Sequence, residues 1–211
     1  MKHALTALTL SLALLAGCSS TGYDDPDMVE TLTIDFGSTD LQVLATSMAD
    51  SLIASPALSY IQREESNTNE DPRIVTYLGG IENRTTEHID TSGIGDSIRV
   101  KLLQSGKFRF VAGDPGQAEI GDQVSFQQGS GRVDSAQAKA FGKQLGADVI
   151  VYGTLRSINK EKDSSIESLG TKKKDLYYQF TLQAVNIETG ELIWADEEDI
   201  RKRERTGIFG R

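Results

Sequence analysis

Hydrophobic residues recur along the chain at two different spacings, which predict helices in its earlier part and a strand pair near its end. Residues 40–55 have apolar side chains three and four positions apart, a helical stripe that Asp40 can cap and Pro56 can end. We expect that stripe to pack on the protein's own core, with a partner-binding helix as the alternative. Residues 74–78 are β-branched and apolar up to a pair of glycines, which indicates a buried strand.

A second helix is predicted after a polar loop at residues 82–90. Thr91 or Ser92 can cap its start, and Gly106 suits the position just past its end. One face of this helix carries three apolar residues, Ile94, Ile98 and Leu102. The next segment, residues 108–111, is short and apolar, which favours a strand.

The stretch that follows is polar, and its pattern predicts mostly loop before a third helix. Residues 113–116 have the composition of a turn, and residues 117–133 are rich in Gln, Gly and Ser, which is typical of a mobile loop. Asp134 can open a helix that Gly146 ends. Residues 149–152 are continuously apolar, as in a strand covered on both faces.

The apolar positions change to a period of two after a charged connection at residues 159–175. Five alternate residues share one face of a predicted strand: Leu176, Tyr178, Phe180, Leu182 and Ala184. A turn at residues 188–191 then brings residues 192–195 back as the partner strand. The order of elements predicts an α/β domain, with a small mixed β-sheet packed with helices and ending in an antiparallel β-hairpin.

Composition and charge exclude several classes of protein. The 211 residues are 38% hydrophobic and carry a net charge of −9, which argues against broad nucleic-acid binding. The chain is long enough to bury a core without a disulfide or a metal. Its one cysteine excludes an internal disulfide framework and a cysteine-rich zinc site. We therefore expect no cofactor and no nucleic-acid partner.

The N-terminus has the features of a bacterial lipoprotein signal peptide. Lys2 precedes an apolar stretch at residues 4–15, which is too short to span a bilayer as a stable helix. Residues 15–18 resemble the lipobox, in which the final residue, here Cys18, is acylated. An ordinary signal peptide followed by an incidental cysteine is the alternative.

The lipobox implies cleavage before Cys18 and two or more acyl chains on that residue, which attach a protein stably to a membrane. Ser19 in the next position implies export to the outer membrane, with the domain on the periplasmic side. We accordingly expect a signal peptide at residues 1–17, a lipidated cysteine with a flexible tether at 18–34, and a single globular domain with a basic C-terminal tail at 35–211.

Side chains suited to catalysis are scarce. Lipidation removes Cys18 as a nucleophile, and cleavage leaves His88 as the only histidine. Glu87, His88 and Asp90 could form a catalytic or metal cluster, but one histidine among local acids is a weak ligand set. The sequence also lacks a nucleophile elbow, a zinc-protease motif and a phosphate-binding loop. We expect no catalytic residue, no metal site and no enzyme activity, with His88 serving loop structure or a partner contact.

Positive charge gathers at two places in this acidic protein. We expect the two clusters to form a protein-docking surface, because arginines and exposed aromatic side chains concentrate binding energy. A solvated loop and tail is the alternative. The candidate partner-binding residues are Lys172, Lys173, Lys174, Arg201, Arg203, Arg205 and Phe209.

Several segments together resemble the LpoB family of penicillin-binding-protein activators. They are residues 35–42, 81–91, 105–111, 146–148, 152–153 and 186–194. The run from Asn83 to Thr91 is quite specific, whereas lipoproteins of the curli-channel type share the hairpin that ends at Trp194. The resemblance extends from about Asp35 to Trp194 and includes the lipobox.

The resemblance implies an outer-membrane lipoprotein that binds a non-catalytic docking domain on a bifunctional class A penicillin-binding protein. Docking would stimulate glycan polymerisation and peptide crosslinking allosterically, which requires tighter binding to the active state of the enzyme. An assembly lipoprotein of the outer membrane, such as a curli-channel-like secretion component, is the alternative, and a wall-acting enzyme is the third hypothesis. The tether departs from the family pattern of a long, Pro-rich linker, because residues 20–30 reach at most ~40 Å.

Overall fold

The domain is described here from a computed structural model, which covers residues 25–26, 28–29, 33–61, 71–132, 146–162 and 172–206. The predicted signal peptide, the predicted lipidation site Cys18, the helix expected from Asp134 and the aromatic Phe209 lie outside the described residues. None of the helices in the described ranges has the length and hydropathy of a membrane span.

Helices and strands alternate in the first part of the described chain and give way to three long strands. The elements, in chain order, are α1 (Ser38–Ala54), a 3-10 helix (Pro56–Tyr60), β1 (Ile74–Arg84), α2 (Ser92–Gln104), β2 (Phe108–Phe110), α3 (Asp114–Gly129), β3 (Val149–Lys162), β4 (Lys172–Asn186) and β5 (Leu192–Thr206).

The strands form one five-stranded mixed sheet in the order β2-β1-β3-β4-β5. Strand β1 lies parallel to both β2 and β3, whereas β3 with β4 and β4 with β5 pair antiparallel. This arrangement confirms the predicted fold class, including the antiparallel hairpin at its end.

The core lies between one face of the sheet and the helices α1 and α2. From α1, Leu44, Ala45, Met48 and Leu52 are buried, so its apolar stripe packs on the protein's own core as predicted. The five alternate residues predicted for β4 are likewise all buried in this core. The other face of the sheet, which we call the outer face, is defined along β4 by Asp175, Tyr177, Gln179 and Thr181.

The start of α1 differs from the prediction in the residue that caps it. Gly37 occupies the cap position, and Asp40 lies three residues inside the helix. The Asp40 Oδ2 atom accepts a hydrogen bond from the Gly37 backbone N–H at 2.9 Å, which is the return half of a capping box. The carboxylate therefore stabilises the helix start from the first turn, where it also complements the helix dipole.

Helix α2 agrees with the sequence pattern at both ends. Thr91 precedes its first residue, although the Thr91 hydroxyl donates to the Ile81 carbonyl oxygen at 2.5 Å and does not cap the helix. Gly106 follows the helix with φ at 71°, a left-handed conformation that glycine adopts without strain. The Thr91 hydrogen bond ties the start of α2 to β1.

The prediction that strand β1 stops at its two glycines is wrong. The strand continues through them to Arg84. The pairing with β3 shifts register between Leu78 and Ile81, so the glycines form an irregularity within the strand. A Cβ atom on Gly79 would lie 3.3 Å from the Val151 carbonyl oxygen, which shows how closely the two backbones approach there. The polar loop predicted from residue 82 therefore begins only after Arg84.

The turn predicted at residues 113–116 and the loop predicted at 117–133 are wrong for most of their length, because α3 occupies Asp114–Gly129. Pro115 lies in the first turn, where its missing N–H costs nothing, and Gly113 takes the cap position. The Gln, Glu and Ala residues within α3 are good helix formers, and their helix propensity outweighs that of the scattered Gly and Ser residues.

The three long strands continue well past their apolar parts. Residues 159–162 of β3 and 172–175 of β4, which were predicted as a charged connection, form strand. Strand β5 runs to Thr206 instead of ending at residue 195, so Arg201, Arg203 and Arg205 belong to a strand and not to a tail. Cross-strand pairing along the whole hairpin holds these charged residues in extended conformation.

Candidate docking surface

The outer face of β3, β4 and β5 brings together charged residues that are far apart in the sequence. Directly paired residues on neighbouring strands share a face of the sheet. Register therefore places Ile158, Tyr177 and Arg201 in one row across the three strands, and Lys160, Asp175 and Arg203 in the next. Lys173 and Arg205 form a further row, and Arg84 of β1 lies beside Arg156 of β3.

The cations of these rows form one positively charged strip on an otherwise acidic protein. We call it the basic strip and define it as Arg84, Arg156, Lys160, Lys173, Arg201, Arg203 and Arg205. All seven residues are exposed. A surface of this sign attracts acidic protein surfaces and speeds their association.

Asp175 lies in the middle of the basic strip and orients two of its arginines. The Arg203 Nε atom donates to the Asp175 Oδ1 atom at 2.6 Å, and a terminal nitrogen of Arg201 lies 3.8 Å from Oδ2. The hydrogen bond from Arg203, with the nearby positive charges, lowers the pKa of Asp175. The carboxylate is therefore ionised at neutral pH and holds both guanidinium groups over the sheet.

An apolar patch interrupts the charges of the strip. Ile158 is 56% exposed, which is unusual for a large aliphatic side chain on a strand. Tyr177 is paired with it in register, and a hydrogen bond to Asp199 raises the pKa of the tyrosine hydroxyl. Tyrosine joined to arginine is the combination that most often carries the binding energy of protein interfaces.

The loop after β1 is held against the sheet by one asparagine side chain. The Asn83 amide nitrogen donates to the carbonyl oxygens of Glu87 at 3.0 Å and Ile89 at 3.1 Å. Its carbonyl oxygen accepts from the backbone and the hydroxyl of Thr85 at 2.9 and 2.8 Å. The loop also reaches β3, because the Thr86 N–H donates to the Ser157 hydroxyl at 3.3 Å.

Glu87 joins this loop to the start of the domain and to its core. One carboxylate oxygen accepts from the Phe36 N–H at 3.0 Å, and the other accepts from the Tyr178 hydroxyl. The Phe36 ring packs edge-on against Tyr178, with ring centroids 5.4 Å apart. Burial and the bond to Glu87 raise the pKa of Tyr178 well above its usual range, so the phenol stays protonated as the donor.

The side chains along the loop alternate between exposed and half-buried positions. Arg84, Thr86, His88 and Asp90 are exposed, whereas the residues between them are half-buried. Hydrogen bonds from the Ser92 hydroxyl and N–H lower the pKa of Asp90. Across the described ranges, no three His, Cys, Asp or Glu side chains come together as a potential metal site. His88 is thus an exposed loop residue beside the basic strip.

The structure separates the candidate partner-binding residues into two sets. Lys173, Arg201, Arg203 and Arg205 share the outer face, while Lys172 and Lys174 take the alternate positions of β4 that face the other way. Lys174 pairs in register with Glu161 on one side and Glu204 on the other. Phe209 lies outside the described residues.

Sequence reasoning missed the part of the strip that comes from β1 and β3. Arg84, Arg156 and Lys160 are isolated cations in the sequence, and only strand pairing brings them together. A sequence signal for Ile158 did exist. It is a lone aliphatic residue that alternates with Arg156 and Lys160, which is a strand spacing.

One family of known proteins matches the chain. A sequence model described as the peptidoglycan-synthase activator LpoB matches residues 40–200, which include β1 to β4 and most of β5. No curated protein matches the sequence at a significant level.

Solved structures of similar fold were also found. The LpoB C-terminal domain from Escherichia coli is 14% identical, with 77% of this chain and 99% of that chain covered and a TM-score of 0.42. The corresponding domain from Salmonella enterica is 15% identical, covers 77% and 96%, and has a TM-score of 0.37. The lipoprotein GNA1162 from Neisseria meningitidis is 16% identical, covers 63% and 85%, and has a TM-score of 0.36.

Proposed function

The chain belongs to the LpoB family of peptidoglycan-synthase activators, and from this premise we propose that it binds and activates a bifunctional class A penicillin-binding protein. Family membership supports a role as a penicillin-binding-protein activator in general terms, and the family consists of regulators rather than enzymes. It also implies an envelope-associated lipoprotein. The finer proposal is that the chain docks on a non-catalytic domain of the synthase and stimulates glycan polymerisation and peptide crosslinking.

The single observation that supports a docking role is the basic strip around Ile158 and Tyr177. It lies on paired strands, so its backbone is already ordered and binding needs to order only its side chains. Its charges suit an acidic surface on the partner, and its apolar centre suits the desolvated middle of an interface. We therefore place the synthase's docking domain on the outer face of β3, β4 and β5.

Activation by docking requires a difference in affinity between two states of the synthase. A protein that binds both states with equal affinity does not shift the equilibrium between them, however tightly it binds. A tenfold preference for the active state corresponds to ~1.4 kcal/mol of coupling, which one or two well-placed contacts can supply. A rigid surface is suited to this task, because it does not adapt to the inactive state.

We further propose that Cys18 is acylated and anchors the protein in the outer membrane, facing the periplasm. The Gln42 side chain donates to the Pro26 carbonyl oxygen at 3.1 Å, so the chain meets the domain at residue 26. The stretch from Cys18 to Asp25 can span at most ~25 Å. In this proposal the docking domain of the synthase comes close to the outer membrane.

The decisive experiment titrates lipid-free protein, residues 19–211, into each purified class A penicillin-binding protein of the same cell. Lipid II polymerisation and direct binding are followed together. We expect saturable stimulation of one enzyme. Absence of both binding and stimulation for every enzyme would reject the activator role and favour the assembly-lipoprotein alternative.

The docking surface is tested with two double charge reversals in the same assay. Arg156→Glu with Lys160→Glu alters the outer face, and we expect it to raise the Kd at least tenfold. Lys172→Glu with Lys174→Glu makes the same change in charge on the opposite face and should leave the Kd unchanged. Equal effects of the two would place the docking surface elsewhere, even if stimulation itself is confirmed.

Lipidation is tested independently of the synthase. Mass spectrometry of the membrane fraction should find an N-terminal acylated peptide beginning at Cys18, and Cys18→Ser should release the protein from that fraction. A mature N-terminus at any other residue would contradict the anchor.

A further inference from the structure

Strand β5 forms an edge of the sheet in the part of the chain that the structure describes. It is 15 residues long, and its outer-face residues from Ala195 to Arg205 are all exposed. In an antiparallel pair, alternate residues turn their N–H and C=O groups toward the neighbouring strand, which leaves the others directed at the free edge. A long edge of this kind is a template for pairing with another chain.

The charges on β5 change sign at its centre. On the outer face, Glu197 and Asp199 come before residue 200, and Arg201 and Arg203 come after it, whereas Ile200 itself faces the helices. Charged residues on an edge strand usually oppose pairing, because like charges meet. A strand with an acidic half followed by a basic half is instead complementary in charge to a second copy of itself that runs antiparallel.

Pairing of two copies about a two-fold axis at Ile200 joins each acidic half to a basic half. Asp199 then faces Arg201 of the second copy, and Glu197 faces Arg203, with each pair formed twice by symmetry. The two copies of Ile200 meet at the centre. Opposite charges directly across an antiparallel pair are stabilising, whereas like charges are destabilising.

The charge pattern also selects this register over its neighbours. A shift of one strand by two residues places either Asp199 against Asp199 or Arg201 against Arg201. On the face toward the helices, the same register pairs Glu198 with Lys202 twice and Asp196 with Glu204 twice, so opposite and like charges balance. The side chains of Asp196, Glu198 and Lys202 already bond to α1, so that face does not select the register. Two-fold pairing at Ile200 is therefore the register that forms four opposite-charge pairs and no like-charged pair on the outer face.

The existing contacts of these groups do not prevent the pairing. Asp199 accepts one hydrogen bond, from Tyr177, and Arg203 donates to Asp175. A carboxylate has about four acceptor sites and a guanidinium about five donors, so both keep capacity for a second partner.

We propose that this protein forms a two-fold homodimer by antiparallel pairing of β5 with β5 of a second copy, centred on Ile200. The inference goes beyond the proposed function, since it needs no synthase. It has a regulatory consequence, because Arg201 and Arg203 belong both to the basic strip and to the pairing edge. Self-association engages cations that docking would use, so the two forms compete.

Sedimentation velocity of residues 19–211, which include every described residue, tests the proposal between about 1 and 300 μM. We expect a reversible dimer whose Kd rises at least tenfold between 50 and 500 mM salt, because exposed charge pairs are screened. Two variants are compared with it: an all-basic edge, Glu197→Lys with Asp199→Lys, and an all-acidic edge, Arg201→Glu with Arg203→Glu. Each variant alone should be monomeric, and an equimolar mixture should form a heterodimer.

The matched control is Arg156→Glu with Lys160→Glu, which changes charge on the same face but on the central strand β3. It should dimerise like the wild type. Circular dichroism of each variant verifies folding. A wild-type protein that stays monomeric over the whole range would overturn the proposal. A mixture of the two edge variants that stays monomeric would do the same, as would variants that dimerise as tightly as the wild type. None of these results depends on whether a synthase is activated.

Discussion

Removal of the Tyr178 hydroxyl is the most informative single change in this domain. Tyr178 is fully buried, and its hydroxyl donates to the Glu87 carboxylate, which also holds the Phe36 backbone. Tyr178→Phe keeps the ring, its volume and its contact with Phe36, so it creates no large cavity. The loss is confined to one hydrogen bond to a charged acceptor.

The magnitude follows from the chemistry of that bond. A hydrogen bond to a charged group contributes ~1.5–3 kcal/mol to stability. For a protein of this size, 1 kcal/mol corresponds to about 2–4 °C in Tm. We therefore expect Tyr178→Phe to lower Tm by about 3–12 °C, measured by thermal unfolding followed by circular dichroism.

Two comparisons separate the bond from a general effect of the substitution. Tyr177→Phe removes the same group from the adjacent residue, on the outer face, where the hydroxyl bonds to the exposed Asp199, and it should leave Tm nearly unchanged. In a Glu87→Gln background, Tyr178→Phe should cost less than in the wild type, with a coupling of ~0.5–3 kcal/mol. A loss no greater than that of Tyr177→Phe, or full additivity with Glu87→Gln, would refute the reasoning.

Three further predictions concern the packing and the charges of the three long strands. Lys202→Met should destabilise the domain by ~3–5 kcal/mol in urea unfolding, because it leaves the Asp40 carboxylate, whose side chain is 8% exposed, without its cation. Gly153→Ala should cost ~1–3 kcal/mol in the same assay, since its Cβ would lie 2.6 Å from the Thr181 carbonyl oxygen. Asp175→Asn should be less stable than the wild type at pH 7, and this difference should shrink as the pH falls below about 3.9, because the lowered pKa of Asp175 stabilises the fold only while its carboxylate is ionised.

The parts of the fold that the sequence predicts well are those where burial alternates with a fixed period. Helix α1 and the buried face of β4 follow this rule, since Leu44 and Met48 in one and Tyr178 and Phe180 in the other all point at the core. Helix α3 breaks the rule, because only Val124 among its hydrophobic residues is buried and no apolar stripe marks it. Its helical propensity was hidden by Gly and Ser residues that suggest a loop.

The long ends of the hairpin could not be predicted from local pattern, because both faces carry charged side chains there. Residues such as Lys160 and Arg203 have no strand signal of their own, and they are extended because their strands pair with β4 on either side of Asp175. The sequence revealed only part of the candidate surface, because the strand pairing that assembles it has no local pattern. Clustered cations are visible in the sequence, but their division between two faces requires the parity that strand pairing fixes.

The position of Phe36 determines how the domain responds to mechanical tension. A pull on the residues before it is resisted first by the Gln42 bond to the Pro26 carbonyl oxygen. It is then carried by the Phe36 N–H bond to Glu87 and by the Lys202 ammonium, which donates to the Asp35 carbonyl oxygen at 2.6 Å. These anchor points lie under β4 and β5, directly behind the outer face that bears Tyr177. Tension on the preceding chain therefore reaches the contacts beneath β4 and β5, the two strands that carry Tyr177 and Arg201.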